Sequence, residues 1–418
     1  MTIYQLQYGK TLQLLELPES FQADWIEPPS VSGYENPFPL IETALDSPLN
    51  SCRLEDMLSG VKTVAIAIND KTRPVPHQHI LPPLLNRLRS IPSSNIQFWI
   101  ATGTHLPMSP EEFPLVLPPH IIETYPVFSH NIDDQNNFVY LGETQRGTPI
   151  WVNRAFYQAD LKIVIGNIEP HHFAGFSGGY KTAAIGLTGR ATINHNHAML
   201  LDPNARVGEF DKNPLRQDIE EIGQRIKVNF ALNVLLNGKK QIVRAFSGTP
   251  DAVLQAGIPV SRSISETPVR HRYDLVIASC GGHPKDINLY QAQKALTHAS
   301  MLTRDDGVVI LIAACPEGSG SMAYQQFMEQ IVSFDQVFLK FKEQGFLVGP
   351  HKALQIARDA QRIRIILVSE MPSELVRKLL LTPASTLQTA FEQACQWLPE
   401  SPTIAFLPRA TNTIPSFE

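Results

Sequence analysis

Runs of consecutive apolar residues alternate with amphipathic segments over most of the chain. Strands are predicted at Thr63–Ile68, Ile96–Ala101, Leu161–Ile165, Val228–Leu235, Gln241–Ala245, Asp274–Ser279, Gly307–Ile312 and Ile363–Val368. Helices are predicted at Ile80–Ile91, Asp286–Thr303, Tyr324–Gln344 and Ala353–Ala360. Several of the strands are unbroken Val, Ile and Leu runs, which is typical of strands buried on both faces of a mostly parallel sheet. The repeated order of strand, loop and helix indicates an α/β fold.

The chain of 418 residues is long enough for two such domains, each a mostly parallel sheet flanked by helices. A short helix at Pro250–Ala256 and the Pro- and Ser-bearing stretch Ile258–Thr267 place the junction near residues 260–272. We therefore expect an N-terminal domain over residues 1–265 and a C-terminal domain over residues 270–400. The tail, residues 400–418, contains an apolar strand at Thr403–Leu407 and is expected to return to the first domain.

Composition narrows the functional class. Charged residues make up 18% of the chain, the formal net charge is −5, and no block of like charge occurs, which argues against nucleic-acid binding. The longest strongly apolar run, Val308 to Cys315, is too short to span a membrane, and Met1 to Leu17 does not resemble a signal peptide. The four cysteines are widely spaced, which fits a reducing cytoplasm.

Polar segments follow two of the predicted strands directly. Asn69–Pro74 comes after the first strand and contains Asp70, Thr72 and Arg73, whose guanidinium is suited to grip a carboxylate or phosphate. Ala101–His105 comes after the second strand and ends in His105, a candidate for proton transfer. Ligands of parallel α/β sheets bind at the carboxyl ends of strands, but each segment taken alone is also typical of a solvated turn.

The stretch from Gly166 to Thr182 holds the densest set of candidate residues. It carries His171 and His172, then a glycine-rich run through Gly178 and Gly179 to Lys181. A phosphate-binding P-loop needs glycine immediately before its lysine, and Tyr180 stands there, so nucleoside triphosphate hydrolysis is excluded. The sequence instead predicts a loop that brings backbone and a lysine close to a ligand.

Two further segments carry side chains suited to metal or anion binding. His195 and His197 share a face only if the chain is extended there, and they diverge on a helix. Imidazole suits nickel, copper, iron or zinc, although two histidines do not define a site. On the helix that opens the C-terminal domain, Gln291 and Lys294 share a face and are suited to bind an oxyanion together.

Taken together, these segments resemble the nickel-dependent lactate racemase family. The resemblance rests on motifs in family order, spanning about residues 70–294 and extended by Gly349–Ala353. They are Asp70-x-Thr72-Arg73-Pro74, Gly103-Thr104-His105, Glu169-Pro170-His171 through Gly178-Gly179-x-Lys181, the His197 region, and Tyr290-Gln291-x-x-Lys294.

The resemblance implies a nickel-pincer cofactor, a pyridinium-3,5-bisthiocarboxylic acid mononucleotide, attached through Lys181 and made by separate cofactor-synthesis proteins. It further implies that His197 is the nickel ligand and that His105 and His171 are catalytic. Asp70, Thr72, Gly178, Gly179 and Tyr290 would contact the cofactor, and Arg73, Gln291 and Lys294 the substrate. Two positions depart from the family pattern: Tyr180 replaces an arginine, and His172 replaces an aromatic residue.

The implied activity is racemisation or epimerisation of a 2-hydroxy acid by hydride abstraction and return to the opposite face. The α C–H beside a carboxylate is too weak an acid for a histidine base, so oxidation to the planar 2-keto acid is the accessible route. Two histidines would serve the hydroxyl groups of the two enantiomers. Because motifs come from both sides of residue 272, we expect the site in a cleft between the domains.

Two other functions remain open on the sequence. One is a zinc-dependent hydrolase using His171, His172, His195 and His197, although no HExxH motif occurs. The other is a non-catalytic protein that binds a mononucleotide or a sugar acid. Within the racemase interpretation, the sequence does not choose among lactate, malate, longer or aromatic 2-hydroxy acids and sugar acids.

Overall fold

The computed structural model describes residues 2–417. The strands are β1 (Thr2–Tyr8), β2 (Thr11–Leu17), β3 (Ala23–Trp25), β4 (Val64–Asn69), β5 (Ile96–Ala101), β6 (Val127–Ser129), β7 (Phe138–Glu143), β8 (Pro149–Asn153), β9 (Leu161–Asn167), β10 (Pro170–His171), β11 (Gly175–Phe176), β12 (Phe230–Leu236), β13 (Ile242–Gly248), β14 (Glu266–Val269), β15 (Tyr273–Ser279), β16 (Thr303–Ile312), β17 (Arg364–Val368), β18 (Thr382–Ala384), β19 (Ile404–Leu407) and β20 (Ile414–Phe417).

The α-helices are α1 (Phe38–Asp46), α2 (His77–Arg87), α3 (Pro119–Thr124), α4 (Arg154–Gln158), α5 (Lys181–Ala184), α6 (Arg190–Ala198), α7 (Pro214–Ile226), α8 (Pro250–Ser265), α9 (Leu289–Leu302), α10 (Met322–Met328), α11 (Phe334–Gln344), α12 (Pro350–Ala360), α13 (Ser373–Lys378) and α14 (Leu387–Cys395). No helix among residues 2–417 is both long enough and apolar enough to cross a membrane.

The chain forms two compact domains. The first, Ser30–Ile264, is called the central domain here, and the second, called the composite domain, combines the residues up to Pro29 with those from Ser265 onward. Each contains a six-stranded, mostly parallel sheet with helices, so the predicted α/β class with two such domains is confirmed.

The sheet of the central domain has the strand order β13-β12-β9-β4-β5-β6. All neighbours are parallel except β12 and β13, which pair antiparallel. Every residue of β9 is buried, including Lys162, whose ammonium donates to the backbone oxygen of Ala159 at 2.8 Å. Alternate side chains of β4, β5, β9 and β12 face a core that also includes Ile80, Leu81 and Leu84 of α2.

The sheet of the composite domain has the order β18-β17-β16-β15-β19-β3, with every neighbouring pair parallel. The hairpin β1–β2 packs Leu6, Tyr8, Leu15 and Leu17 into the core of this domain. The N-terminal residues therefore belong to the composite domain, which differs from the expected domain of residues 1–265. The reason is pairing across the whole chain, since β3 adds to β19 at the sheet edge.

The tail also stays in the composite domain, contrary to the expected return to the first domain. Strand β19 lies between β15 and β3, and β20 pairs with β14. Glu418 lies outside the described residues.

Two helical predictions differ from the structure. The short helix predicted at Pro250–Ala256 is longer in the structure, because α8 continues through Pro259 to Ser265. An interior proline costs about 3 kcal/mol, and here the burial of Val253, Leu254 and Ile258 along the helix offsets it. The single helix predicted at Tyr324–Gln344 is instead α10 and α11, separated where Gln330 takes a left-handed backbone conformation (φ 67°).

Candidate active site

The candidate side chains of the central domain collect at the carboxyl edge of its sheet. Strand β4 pairs in parallel with β5 on one side and with β9 on the other. The segments that follow these three strands therefore leave the sheet at the same edge, as the sequence indicated. They supply Asp70 and Arg73, then His105, and then His171.

Asp70 and His105 form a dyad at this edge. The Nδ1 atom of His105 lies 2.6 Å from Oδ2 of Asp70, and Oδ1 of Asp70 accepts hydrogen bonds from the backbone N–H and hydroxyl of Thr72 at 3.0 and 2.7 Å. Burial favours the neutral form of Asp70, but the hydrogen bonds from His105 and Thr72 outweigh it and hold the pKa of Asp70 below its usual value. An ionised Asp70 accepts the Nδ1 proton of His105, so the neutral imidazole carries its lone pair on Nε2. The His105 side chain is 51% exposed and is accessible to a ligand.

His171 lies in a more enclosed and more positive environment. Burial lowers the pKa of His171 well below its usual value, and repulsion from Lys181, His172, Arg73 and His197 in their charged forms lowers it further. Its Nδ1 accepts a hydrogen bond from the backbone N–H of Ala174 at 3.1 Å. Its Nε2 lies 3.3 Å from a guanidinium nitrogen of Arg73, which can only donate. Both ring nitrogens of His171 therefore face donors that compete for the single lone pair of a neutral ring, in contrast to His105.

The glycine-rich loop adopts a backbone that excludes side chains. Gly178 has φ 90°, and a Cβ atom there would lie 2.6 Å from Cγ1 of Ile168. Gly179 has φ 57°, and its N–H donates to Oδ1 of Asn233 at 2.7 Å. These two glycines let the loop turn tightly against β9 and β12 before it reaches Lys181.

A buried arginine, which the sequence analysis did not identify, binds the backbone of this loop. Arg216 of α7 is fully buried and donates to the carbonyl oxygens of Phe176 and Gly178 at 2.9 and 3.1 Å. Its guanidinium also pairs with Glu220. An arginine on an amphipathic helix is usually solvated, so the sequence carried no signal for this role.

Lys181 follows the loop as the first residue of α5. The residue keeps some accessible surface, yet desolvation of its amine is the largest influence and lowers the pKa of Lys181 well below its usual value. Arg73 and Arg216 lower this pKa further, whereas Glu169 and Asp70 oppose them. The arrangement favours a neutral and therefore nucleophilic amine.

His195 and His197 both lie on α6, so the two rings diverge. Nδ1 of His195 lies 2.8 Å from the Thr148 hydroxyl, while the His197 ring makes an edge contact with Phe173 at 5.1 Å between centroids. Within residues 2–417, no group of three or more His, Cys, Asp or Glu is arranged to hold a metal ion. The four-histidine arrangement that a zinc hydrolase would need is therefore not assembled by these residues.

The two departures from the family pattern differ in position. His172 stacks on His171, with 4.5 Å between ring centroids, and so lies at the site. Tyr180 is buried against Gly223 of α7, where an added Cβ would lie 2.2 Å from the tyrosine ring. Of the two departures, His172 therefore lies beside a candidate catalytic residue, whereas Tyr180 packs against α7.

The composite domain supplies the remaining predicted residues, all on α9. Asn288 caps this helix by accepting from the backbone N–H of Gln291, and Lys294 donates to the Gln291 side chain at 3.0 Å. The predicted shared face is therefore present. The Tyr290 hydroxyl lies 3.5 Å from Nε2 of His351, and the buried Lys352 ammonium lies 4.9 Å from the centre of the Tyr290 ring.

Thus the structure brings Asp70, Arg73, His105, His171 and Lys181 together within the central domain, and Tyr290, Gln291 and Lys294 together within the composite domain.

Both domains match sequence profiles of known domains. Residues 8–208 match the lactate racemase N-terminal domain, and residues 269–414 match the lactate racemase C-terminal domain. The chain is 28% identical to the lactate racemase of Thermoanaerobacterium thermosaccharolyticum over 99% of each chain. It is 30% identical to the lactate racemase of Lactiplantibacillus plantarum over 85% of each chain.

Solved structures with a similar fold include a lactate racemase. The lactate racemase apoprotein from T. thermosaccharolyticum superimposes with a TM-score of 0.90, covering 99% of this chain and 100% of that one at 28% identity. A Thermotoga maritima protein superimposes with a TM-score of 0.63 over 87% of this chain and 96% of that one; at 17% identity it shows a shared fold only.

Proposed function

Since the chain belongs to the lactate racemase family and is an isomerase, we propose that it racemises or epimerises a 2-hydroxy acid, lactate or a close relative. The observation that carries this proposal is the convergence of Arg73, His105 and His171 at one sheet edge. An anion-binding guanidinium there lies beside the imidazole of His171, and Asp70 orients the imidazole of His105 so that its lone pair is on Nε2. This set can hold a carboxylate and exchange a hydroxyl proton.

We further propose that the cofactor is the nickel-pincer nucleotide, attached through Lys181. The residues fit such a group. The Lys181 amine favours its neutral form, and the backbone at Gly178 and Gly179 leaves no room for side chains. Two buried polar atoms in this region, Ser177 Oγ and Asn233 Nδ2, have no hydrogen-bond partner among the described residues and are available to a ligand. A metal held mainly by the donors of a nucleotide needs one protein ligand, which we assign to His197, rather than a cluster of side chains.

When bound, this group would supply the hydride acceptor that the twenty side chains lack. The protein's own residues would position the substrate and move its proton. Asp70 orients His105 so that its Nε2 lone pair takes the hydroxyl proton of one enantiomer as the 2-keto acid forms. His171 would serve the other enantiomer. To take a proton on Nε2, His171 would carry its own hydrogen on Nδ1, give up the bond from Ala174, and turn its lone pair from Arg73 to the substrate hydroxyl.

The remaining assignments concern binding. Arg73, Gln291 and Lys294 are proposed to hold the substrate carboxylate, so that the keto acid pivots without leaving. Asp70, Thr72, Gly178, Gly179 and Tyr290 are proposed to contact the cofactor. Cofactor-synthesis proteins are the proposed partners, and the four free cysteines favour a cytoplasmic location.

The test is a screen of pure D- and L-2-hydroxy acids against protein produced together with the cofactor-synthesis proteins, read by chiral chromatography. Intact mass of the same preparation should show an adduct that is lost in Lys181→Ala. Racemisation of one or more 2-hydroxy acids that depends on Lys181 supports the proposal. An adduct-bearing protein that leaves every tested enantiomer unchanged would contradict it and favour a binding protein.

A further inference from the structure

A buried polar network behind His197 determines which way the neighbouring amide points. Asn196 and Asp218 are almost fully buried. The Nδ2 atom of Asn196 lies 3.0 Å from the backbone oxygen of Leu215 and 2.8 Å from Oδ2 of Asp218. A backbone carbonyl can only accept hydrogen bonds, and an ionised carboxylate likewise, so the atom facing both must be the amide nitrogen of Asn196. The amide oxygen is then the atom turned toward His197.

This orientation assigns the proton of the His197 ring. Oδ1 of Asn196 lies 3.0 Å from Nδ1 of His197. Because an amide oxygen only accepts, Nδ1 of His197 must carry the hydrogen and donate it. In a neutral imidazole the lone pair is then on Nε2. This is the less common tautomer for a free histidine side chain, so the protein has to impose it.

The carboxylate that anchors the network is itself held in place. The Thr144 hydroxyl donates to Oδ1 of Asp218 at 2.6 Å, and the Thr148 hydroxyl donates to Oδ2 at 2.8 Å. Since the Thr148 hydrogen is used in that bond, its oxygen accepts from Nδ1 of His195 at 2.8 Å. In this series of hydrogen bonds from His195 through Thr148 to Asp218, each donor therefore has an acceptor. The Asp218 carboxylate cannot rotate without breaking several of these bonds.

We infer that Asn196 and Asp218 are positioning residues that hold His197 in the Nδ1–H tautomer and so present Nε2 as the metal-binding atom. That the metal is nickel rests on the proposed function. The tautomer follows from the hydrogen bonds of Asn196 and Asp218 alone. Metal-binding histidines commonly donate their second N–H to a carbonyl or carboxylate, and removing that partner weakens metal binding about 10–100-fold. Here the partner is the adjacent Asn196, which the carboxylate of Asp218 orients in turn.

The first measurement is made on the apoprotein without any substitution. Two-bond proton–nitrogen correlation spectra of protein labelled at histidine nitrogens report which ring nitrogen carries hydrogen, and His197→Gln assigns the signal. We expect a protonated Nδ1 and a bare Nε2 for His197. A wild-type spectrum with the hydrogen on Nε2 would overturn the inference, whatever the activity of the enzyme.

The second measurement links the tautomer to metal retention. In Asn196→Ala we expect His197 to revert to the Nε2–H form, and cofactor-loaded protein to lose nickel to a competing chelator about 10–100-fold more readily than wild type. The matched control is Asn237→Ala, which also removes a buried asparagine whose amide bonds a backbone oxygen, that of Val31. The control should keep both the wild-type tautomer and the wild-type nickel retention.

The two proposals fail in different ways. Asn196→Ala with a changed tautomer but unchanged nickel retention, measured by elemental analysis, would overturn the positioning role. If wild-type protein made with the cofactor-synthesis proteins carries neither adduct nor nickel, the proposed function fails, and the apoprotein spectrum alone decides the tautomer. If Asn196→Ala does not fold, the wild-type spectrum still tests the inference.

Discussion

His105 and His171 differ most clearly in what their Nδ1 atoms contact. Nδ1 of His105 faces a carboxylate, whereas Nδ1 of His171 faces a backbone N–H. The first contact places the hydrogen of His105 on Nδ1 and its lone pair on Nε2. His171 instead faces a donor at each ring nitrogen, because Arg73 also approaches its Nε2. Two histidines that look equivalent in the sequence therefore have different hydrogen-bonding environments.

This difference leads to a prediction for the two alanine variants. Under the proposed assignment of one histidine to each enantiomer, His105→Ala and His171→Ala should each lose about 10²–10⁴-fold in full racemisation. Each variant should still oxidise the enantiomer whose hydroxyl faces the remaining histidine. Rapid quench of loaded protein with each pure enantiomer, followed by assay for 2-keto acid, measures this. Loss of the same enantiomer in both variants would show that one base serves both faces, with His172, stacked on His171, as the candidate.

A buried histidine outside the set of candidate catalytic residues should contribute to the loss of stability in acid. His77 is buried, its Nδ1 lies 2.7 Å from the Val116 carbonyl oxygen, and burial lowers the pKa of His77 to about 4. Between about pH 6.5 and pH 4 the unfolded chain binds a proton that the folded state does not, so stability rises with pH across this window and the gain is complete above it. The unfolding free energy that His77 adds across this window is at most roughly 3 kcal/mol.

We expect His77→Asn, which keeps a donor toward Val116, to reduce this acid sensitivity. Urea unfolding at several pH values should give a smaller loss of unfolding free energy between about pH 7 and pH 5 than in wild type. His79→Asn, two residues along the same helix, is the control and should retain the wild-type profile. An unchanged profile in His77→Asn would mean that other groups carry the acid sensitivity.

Among the structural elements, the glycine-rich loop depends most on backbone conformation. Gly178→Ala combines a left-handed backbone with a clash, because its Cβ would lie 2.6 Å from Ile168 and 3.0 Å from Asn233. Gly142 has a similar φ of 86° with nothing within 4 Å of its added Cβ, so Gly142→Ala isolates the backbone cost, about 1–3 kcal/mol.

We predict that Gly178→Ala lowers cofactor attachment at Lys181, whereas Gly142→Ala loses only stability. Intact mass of protein made with the cofactor-synthesis proteins measures attachment, and thermal unfolding measures stability. Equal attachment in the two variants would mean that the loop tolerates displacement at Gly178 and does not position Lys181 tightly.

For the whole molecule, the composite domain requires both ends of the chain. Leu6, Tyr8, Leu15 and Leu17 are buried in its core, so a fragment ending at Ile264 leaves the β1–β2 hairpin without its core. We expect residues 30–264 to fold cooperatively, and residues 1–264 to bind more of a hydrophobic dye and to associate. Dye fluorescence and gel filtration compare them. Equal behaviour of the two fragments would show that the hairpin does not need the composite core.

The sequence alone determined the α/β class, most strands and the candidate side chains. Continuous apolar runs such as residues 308–312 mark buried strands locally, and segments that follow parallel strands must meet at one edge. The shared face of Gln291 and Lys294 followed from helical periodicity in the same way. These features depend on spacing within about ten residues, which the chain displays directly.

Only the tertiary structure decided which distant segments pack together. The N-terminal hairpin joins the composite core, α8 continues through Pro259 because one face is buried, and His195 and His197 diverge because their segment is helical. Arg216 and Asp218 look like surface residues of an amphipathic helix, yet both are buried and form hydrogen bonds with groups far away in sequence. Burial depends on neighbours from the whole chain, so a local pattern cannot reveal which polar residues it encloses.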